Sequence, residues 1–122
     1  MKKQFVPYNI ALALKEKGYD EGCFGYYDIQ SKMLYIADKD EYKISENLPS
    51  ILCSAPTYQQ AINWLFPKLE FNYPMVSIQI FGDGSGEWYS PEDRDDGYII
   101  NEKLSVEFDN LNEAIEKVLT LI

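Results

Sequence analysis

The stretch VSIQIFGDGSGEWY (76–89) contains a complete β-hairpin, and the rest of the chain can be organised around it. Apolar and polar residues alternate from Val76 to Ile80, which is typical of a strand with one buried face. The glycine-rich segment 82–86 predicts a turn, and Glu87-Trp88-Tyr89 returns along the first strand. The hairpin therefore predicts an antiparallel sheet in the second half of the chain.

Downstream of this hairpin, the sequence predicts a polar loop, one more strand and a last helix. Ser90 to Gly97 is polar and is interpreted as a loop, whereas apolar residues alternate again over 104–108. Asn110 and Glu113 can form a capping box at the start of a helix. The apolar stripe of that helix consists of Leu111, Ala114, Ile115, Val118, Leu121 and Ile122.

Upstream, the first third of the chain predicts a helix followed by a second hairpin. Pro7 can occupy a first helical position and Gly18 can supply a left-handed stop, which predicts a helix near 7–17. Cys23 to Ile29 and Leu34 to Ala37 then flank a short polar turn, as in a hairpin. Residues 38–50 are charged and only weakly periodic, so we expect a surface excursion, with a short strand at 51–53.

A middle helix is expected to begin near Thr57, which can form a capping box with Gln60. Apolar residues occupy most of the helical wheel, which indicates that this helix is largely buried. Pro67 would clash with the carbonyl of Asn63 in a continuous helix. The helix is therefore expected to end or kink at about Leu65, which would leave Leu69 outside it.

The order of these elements and their short connections predict an α+β fold. We expect one domain over 1–122, built on an antiparallel sheet of about five strands with three helices packed mainly on one face. The residues on the apolar faces of the periodic elements are expected to be buried: Ile62, Leu65, Val76, Ile78, Ile80, Leu104, Val106, Phe108, Ile115 and Val118.

The charge of the chain is concentrated in one segment. The formal net charge is −9, and residues 83–109 hold nine acidic residues against Arg94 and Lys103. A local field of this kind can steer a partner toward one surface. It disfavours direct binding to nucleic acid or to anionic membranes, because both depend on neutralising phosphate with basic residues. A partner recognised through charge is therefore expected to be a basic protein.

Several chemistries lack the residues that they require. The chain contains no histidine, which removes the commonest general base and any zinc site that needs histidine. Cys23 and Cys53 do not form a metal-type pair, and we interpret them as reduced, buried, apolar residues. No cofactor and no metal is expected, and an enzymatic activity is not favoured. The N-terminus lacks the apolar core of a signal peptide, so a cytoplasmic location is expected.

Four segments resemble a family of small uncharacterised proteins from gut bacteria and their phages or prophages. They are FVPYNIALALKEKGYDEGCFGYY (5–27), SAPTYQQAINWL (54–65), EWY (87–89) and NLNEAIEKVLTLI (110–122), and they occur in the same order along most of the chain. The resemblance implies a bacterial cytosolic or phage-related setting and no established activity. No functional residue is carried over, because the family supplies none.

The candidate partner-binding residues lie between positions 82 and 97, where a glycine turn, large aromatic residues and acidic residues occur together. They are Asp83, Glu87, Trp88, Tyr89, Glu92, Asp93, Asp95 and Asp96. A structural interpretation competes with this one, in which the turn is solvated and the aromatic residues pack on the sheet. The acidic run does not fit a calcium-binding EF-hand loop, since Gly97 at the glycine position places Arg94 at a ligand position and Lys103 at the closing position.

Three classes of function remain open. The first is an acidic protein-binding module, such as a phage or prophage accessory protein, that contacts a basic partner through 82–97. The second is an acidic mimic of nucleic acid that occupies a basic cleft. The third is a carboxylate-dependent glycan binder or enzyme that uses Asp83, Glu87 and Trp88 in the 83–89 hairpin.

Overall fold

The helices and antiparallel sheets of the chain give it an α+β fold, as the element order predicts. The structure is a computed structural model that describes residues 4–36, 43–44, 52–73, 75–90, 93–95, 98–101 and 104–122. Contacts within the chain group into two compact units, 1–64 and 65–122. None of the helices in these described ranges is long and apolar enough to cross a membrane.

The described residues of the first unit form one helix, five strands and the start of a second helix. The elements are α1 (Tyr8–Glu16), β1 (Gly22–Cys23), β2 (Gly25–Asp28), β3 (Leu34–Ile36), β4 (Lys43–Ile44), β5 (Leu52–Ala55) and α2 (Tyr58–Asn72), whose last residues belong to the second unit. The hairpin and the short strand that the sequence predicts here are confirmed. Strand β4 lies within the expected surface excursion 38–50 and pairs with β1. The other residues of that excursion lie outside the described ranges.

The first sheet has the order β3-β2-β5, and all its pairs are antiparallel. Helix α1 packs against β5 and buries Ile10, Ala11 and Leu14. Pro7 lies one position before this helix rather than at its first position, and its carbonyl accepts hydrogen bonds from the N–H groups of Ile10 and Ala11 at 3.1 and 2.9 Å. The expected helix near 7–17 is otherwise confirmed.

Both cysteines lie in this first unit and are buried. Cys23 is in β1 and Cys53 is in β5, and both are free thiols with no exposed surface. The Sγ of Cys23 lies 3.1 Å from the carbonyl oxygen of Gly25. Burial raises the pKa of each thiol, because the apolar surroundings disfavour the thiolate. The prediction that both cysteines are buried is confirmed, and their reduced state stays a prediction.

Helix α2 is longer than its sequence suggests. Its capping box is present: the N–H of Thr57 donates to Oε1 of Gln60 at 2.9 Å, and the N–H of Gln60 donates to Oγ1 of Thr57 at 3.2 Å. The expected end near Leu65 is wrong, since the helix continues through Pro67 to Asn72. Leu69, which was expected outside the helix, has no exposed surface. Burial of the Leu69 side chain contributes stability that offsets the loss of the backbone hydrogen bond that Pro67 cannot donate.

The second unit contains the hairpin 76–89 and its extensions. Its elements after α2 are β6 (Ser77–Ile80), β7 (Gly86–Ser90), β8 (Asp93–Asp95), β9 (Tyr98–Asn101), β10 (Leu104–Phe108) and α3 (Leu111–Leu119). The second sheet has the antiparallel order β10-β7-β6, with β7 in the centre. Helix α3 packs against β7 and β10, and its capping box is confirmed by the N–H of Glu113, which donates to Oδ1 of Asn110 at 3.0 Å.

The expectation of one sheet of about five strands is wrong for the described residues, which form two three-stranded sheets and two additional strand pairs. Each predicted hairpin recruits its own third strand. Strand β5 pairs with β2 in the first unit, and β10 pairs with β7 in the second. The sequence pattern identifies the strands, but it does not say which hairpin takes which third strand.

Burial in the second sheet depends on distance from its central strand. Most of the residues expected in the core are buried: Ile62, Leu65, Val76, Leu104, Phe108, Ile115 and Val118. Ile78 and Val106, however, are only half-buried, and Ile80 is 45% exposed. Strands β6 and β10 form the edges of the three-stranded sheet, so their side chains have a neighbouring strand on one side only.

The polar stretch 90–97 is not simply a loop, because it contains strand β8, which pairs antiparallel with β9. The pair Asp93–Asn101 stands three positions beyond the pair Ser90–Leu104 on each strand, so both pairs share one register. In the sequence, the dipeptide Asp96-Gly97 stands between β8 and β9, and Asp-Gly dipeptides are frequent in hairpins. This dipeptide is the sequence signal for the extension.

We expect Leu69→Ala to lower the free energy of unfolding by about 2–5 kcal/mol, because it leaves a cavity at a fully buried position. Urea denaturation followed by circular dichroism measures this change. The neighbouring exposed Glu70→Ala is the control and should change stability by less than about 0.5 kcal/mol. Equal stability of the two variants would show that α2 does not bury residues beyond Pro67.

Candidate binding surface

Trp88, one of the predicted partner-binding residues, belongs to the core instead. It lies on the central strand β7 and has no exposed surface. Its Nε1–H donates to the carbonyl oxygen of Ala114 in α3 at 3.0 Å, and its ring packs against Phe66 with centroids 6.4 Å apart. A side chain held in this way is not available as a surface anchor or as a stacking platform for a sugar.

Asp83 organises the turn of the hairpin. One of its carboxylate oxygens, Oδ1, accepts hydrogen bonds from the hydroxyl and the N–H of Ser85, at 2.6 and 3.0 Å. The N–H of Gly84 donates to the carbonyl of Phe81 at 3.0 Å, and Gly84 has a φ of +89°, as in a three-residue hairpin loop. The hydrogen bonds from Ser85 lower the pKa of Asp83, since they favour the ionised carboxylate. Asp83 therefore has a structural role in the turn.

Glu87 lies on the solvent side of the second sheet, opposite the face that Trp88 occupies. In the strand register Glu87 pairs with Glu107 of β10 on one side and with Gln79 of β6 on the other. We call this row of three residues, together with Asp109 just beyond β10, the acidic face. Like charges directly opposite on neighbouring strands repel each other, so the Glu87–Glu107 pair opposes the pairing of its own strands.

A groove lies along the acidic face. It has a volume of about 270 Å³ and is lined by Gln79, Phe81, Ser85, Gly86, Glu87, Glu107, Phe108 and Asp109. Phe81 is 55% exposed at one end of it, and a side chain at Gly86 would collide with the carbonyl of Gln79. Carboxylates beside an exposed ring suit a lysine or arginine side chain, which can bury its stem and pair its charge. We call this cavity the acidic groove.

The remaining predicted site residues are distributed differently. Tyr89 lies two positions after Glu87 on β7, so strand alternation places both on the same side of the sheet. The Tyr89 side chain is 41% exposed. Asp93 and Asp95 lie in β8, toward the distal end of the same long hairpin. Glu92 and Asp96 lie outside the described residues. The sequence missed Glu107 and Asp109, although strand alternation over 104–108 places Glu107 on the solvent side.

A second cleft lies in the first unit. It has a volume of about 220 Å³ and is lined by Tyr19, Glu21, Gly22, Gln60, Asn63 and Trp64. The polar groups on its helical side are already engaged within α2, because Gln60 accepts a hydrogen bond from Thr57 and Asn63 accepts one from Gln59 at 2.8 Å. The cleft is therefore a weaker candidate than the acidic groove.

None of the three comparisons, with protein-family models, with curated proteins and with solved structures, finds a match to this chain. Within the described residues, no group of three or more cysteine, aspartate or glutamate side chains is arranged to hold a metal ion. The arrangement of the acidic face is suited to recognising cationic side chains.

We expect Trp88→Phe to destabilise the protein, because it removes the hydrogen bond to Ala114 and leaves a cavity beside Phe66. The hydrogen bond contributes about 0.5–1.5 kcal/mol, and the cavity adds to the loss. Chemical denaturation measures the difference. Tyr89→Phe, on the exposed neighbour, should stay within about 0.5 kcal/mol of the parent. A Trp88→Phe protein as stable as the parent would contradict the buried position of the indole.

The hydrogen bonds from Ser85 to Asp83 can be tested through the pKa of Asp83. Because the folded-state pKa of Asp83 is lowered, its contribution to stability is present above the ordinary aspartate pKa and is lost as the pH falls through the folded-state value. Ser85→Ala removes the hydroxyl donor and should raise the pKa of Asp83 toward its ordinary value. Titration of the carboxyl carbon by NMR measures this shift, and Ser77→Ala on exposed β6 is the control. An unchanged pKa in Ser85→Ala would disprove the hydroxyl contact.

Proposed function

We propose that this protein is a small acidic binding module that contacts a basic protein partner through the 82–97 region and the adjoining acidic face. The observation that carries this proposal is the Glu87–Glu107 pair, which holds two carboxylates directly opposite each other beside the acidic groove. A cationic side chain from a partner would relieve the repulsion between them. The partner would therefore bind at a pair of like charges on neighbouring strands.

The composition of the groove supports a protein partner in particular. Phe81 offers exposed apolar surface at the side of the carboxylates, and Tyr89 adds a half-exposed ring further along β7. Protein interfaces combine an aromatic centre with charged groups that guide association. In this proposal Phe81 and Tyr89 are the apolar anchors, since buried Trp88 is not available for that role.

The acidic residues of the distal hairpin contribute to the rate of association. Asp93 and Asp95 lie in β8 and belong to the segment 83–109, which carries most of the net charge. Charges at the edge of an interface mainly change the association rate and its dependence on salt. Their proposed role is to steer a basic partner toward the groove.

The alternative functions receive less support. The glycan-binding or enzymatic alternative depends on Trp88 as a stacking platform and on Asp83 or Glu87 as a reactive carboxylate. Trp88 is buried, and Asp83 is engaged by Ser85. A mimic of nucleic acid requires carboxylates spread across a face, whereas the acidic groove combines three carboxylates with apolar Phe81. A protein partner accounts for both kinds of group.

The resemblance to small proteins of gut bacteria and their phages adds a biological setting to the proposal. An accessory protein of a phage or prophage that acts in the bacterial cytoplasm would meet many basic host proteins. The acidic face would select among them by charge and by the shape of the groove.

We expect the double variant Glu87→Gln with Glu107→Gln to keep its fold and to lose capture of a basic protein from a bacterial lysate. Removing two opposed charges relieves their repulsion, so stability should be unchanged or slightly higher. Capture is compared at low and high salt, because association led by charge weakens as salt screens it. Captured proteins are identified by mass spectrometry.

The matched control is Glu16→Gln with Glu70→Gln, which changes the net charge equally at exposed positions on α1 and α2. It should capture the same proteins as the parent. Equal loss in both double variants would show that total charge, and not the acidic face, attracts the partner. Unchanged capture in both would refute the proposed function.

A further inference from the structure

We propose that the basic partner of the acidic face binds as an extended segment that adds a strand to the outer edge of β6. This inference rests on the proposed function and specifies how the partner is held. Strand β6 pairs with β7 on one side, and no described residue pairs with its other side. An open edge presents unpaired backbone groups, which is the basis of binding by strand addition.

The hydrogen-bond pattern identifies the backbone groups that are available. Phe81 donates its N–H to the carbonyl of Ser85 at 2.8 Å, and these residues continue the β6–β7 register by one position. Hydrogen-bonded pairs alternate along an antiparallel ladder, so Gln79 and Ser77 also direct their backbone groups toward β7. The N–H and C=O groups of Ile78 and Ile80 therefore point to the open edge.

The side chains of β6 determine the sequence that such a segment would need. Ile78 and Ile80 lie on the same side of the sheet as Trp88, and both keep exposed surface although they are apolar. An added strand would place residues beside them on that side, where apolar side chains bury the most surface. The intervening residues of the added strand would point to the other side of the sheet and would lie on the acidic face, beside Gln79.

Charge determines the residue type on the acidic face. Strands are spaced about 4.8 Å apart, so a residue beside Gln79 lies about 10 Å from Glu87 across the sheet. A lysine or arginine there can extend over neutral Gln79 toward Glu87, with Phe81 at its side. The inferred ligand is an extended segment that alternates basic and apolar residues.

A second copy of this chain fits the edge less well. Two copies paired through β6 would bring two chains of net charge −9 together and would add a second acidic face to the same sheet. A basic segment neutralises the face that another copy would charge further. The inferred occupant is therefore a basic extended segment of a different protein.

The test uses a ten-residue peptide of alternating lysine and valine, added to the ¹⁵N-labelled protein at low salt. Amide hydrogen exchange of Ile78 and Ile80 should slow when the peptide binds, because their N–H groups acquire acceptors. The same peptide with N-methyl groups on alternate residues is the control. It keeps its charge but cannot form the ladder, so it should not slow exchange at these two amides.

A variant of β6 provides the second measurement. Ile80→Pro removes an outward N–H without removing a hydrogen bond to β7, and edge strands tolerate proline at such positions. It should weaken peptide binding by about tenfold, as expected for a lost hydrogen bond and the clash of the ring with an added strand. Ile80→Val keeps the N–H and should bind like the parent.

The outcomes separate this inference from the function on which it rests. No salt-dependent binding of the peptide would overturn strand addition, whereas unchanged lysate capture in both double variants would overturn the function. A second outcome would keep the function and refute strand addition. In it, the peptide binds the parent but not the double variant Glu87→Gln with Glu107→Gln. Peptide binding also leaves amide exchange at Ile78 and Ile80 unchanged, and Ile80→Pro binds the peptide as tightly as the parent does. Dimerisation of the protein through the β6 edge, measured by analytical ultracentrifugation, would also refute it.

Discussion

The second unit depends on the burial of Trp88, because this one side chain joins the central strand of the sheet to the helix that covers it. The indole ring lies on β7, its N–H is bonded to the carbonyl of Ala114 in α3, and Phe66 of α2 packs against it. A fully buried tryptophan removes a large apolar area from water and satisfies its one polar atom in the same position. This arrangement fixes which side of the sheet is the core.

That choice of side has a direct consequence for the surface. Side chains alternate along a strand, so burying Trp88 requires Glu87 to face solvent, and the register then places Glu107 opposite Glu87 and Gln79 beside it. The acidic face is therefore a product of the same register that builds the core. A shift by one residue would bury these carboxylates, which is why the register is strongly determined.

Much of the fold could be predicted from local sequence signals, because each involves residues close together in the chain. The hairpin turn at 82–86 and the capping boxes at Thr57 and Asn110 are of this kind. The continuation of α2 through Pro67 could not be predicted, since it depends on the burial of Leu69 by residues distant in sequence. The exposure of Ile80 could not be predicted either, because an apolar pattern does not reveal that its strand lies at an edge. For the candidate site, the sequence pattern did not reveal that Trp88 is buried, and it did not draw attention to Glu107. The role of the acidic segment in binding stays a prediction.

The acidic face and the open edge of β6 have opposite requirements that one ligand can satisfy together. Exposed apolar side chains on an edge strand favour pairing with any other strand, whereas a concentrated negative charge disfavours pairing with a second copy of the same chain. On the proposal made above, the negative charge would disfavour self-association at this edge and would leave the edge open to a strand of opposite charge. Specificity of this kind comes from repulsion of the wrong partner as much as from attraction of the right one. On the proposal made above, the acidic face and the β6 edge are therefore two parts of one binding surface.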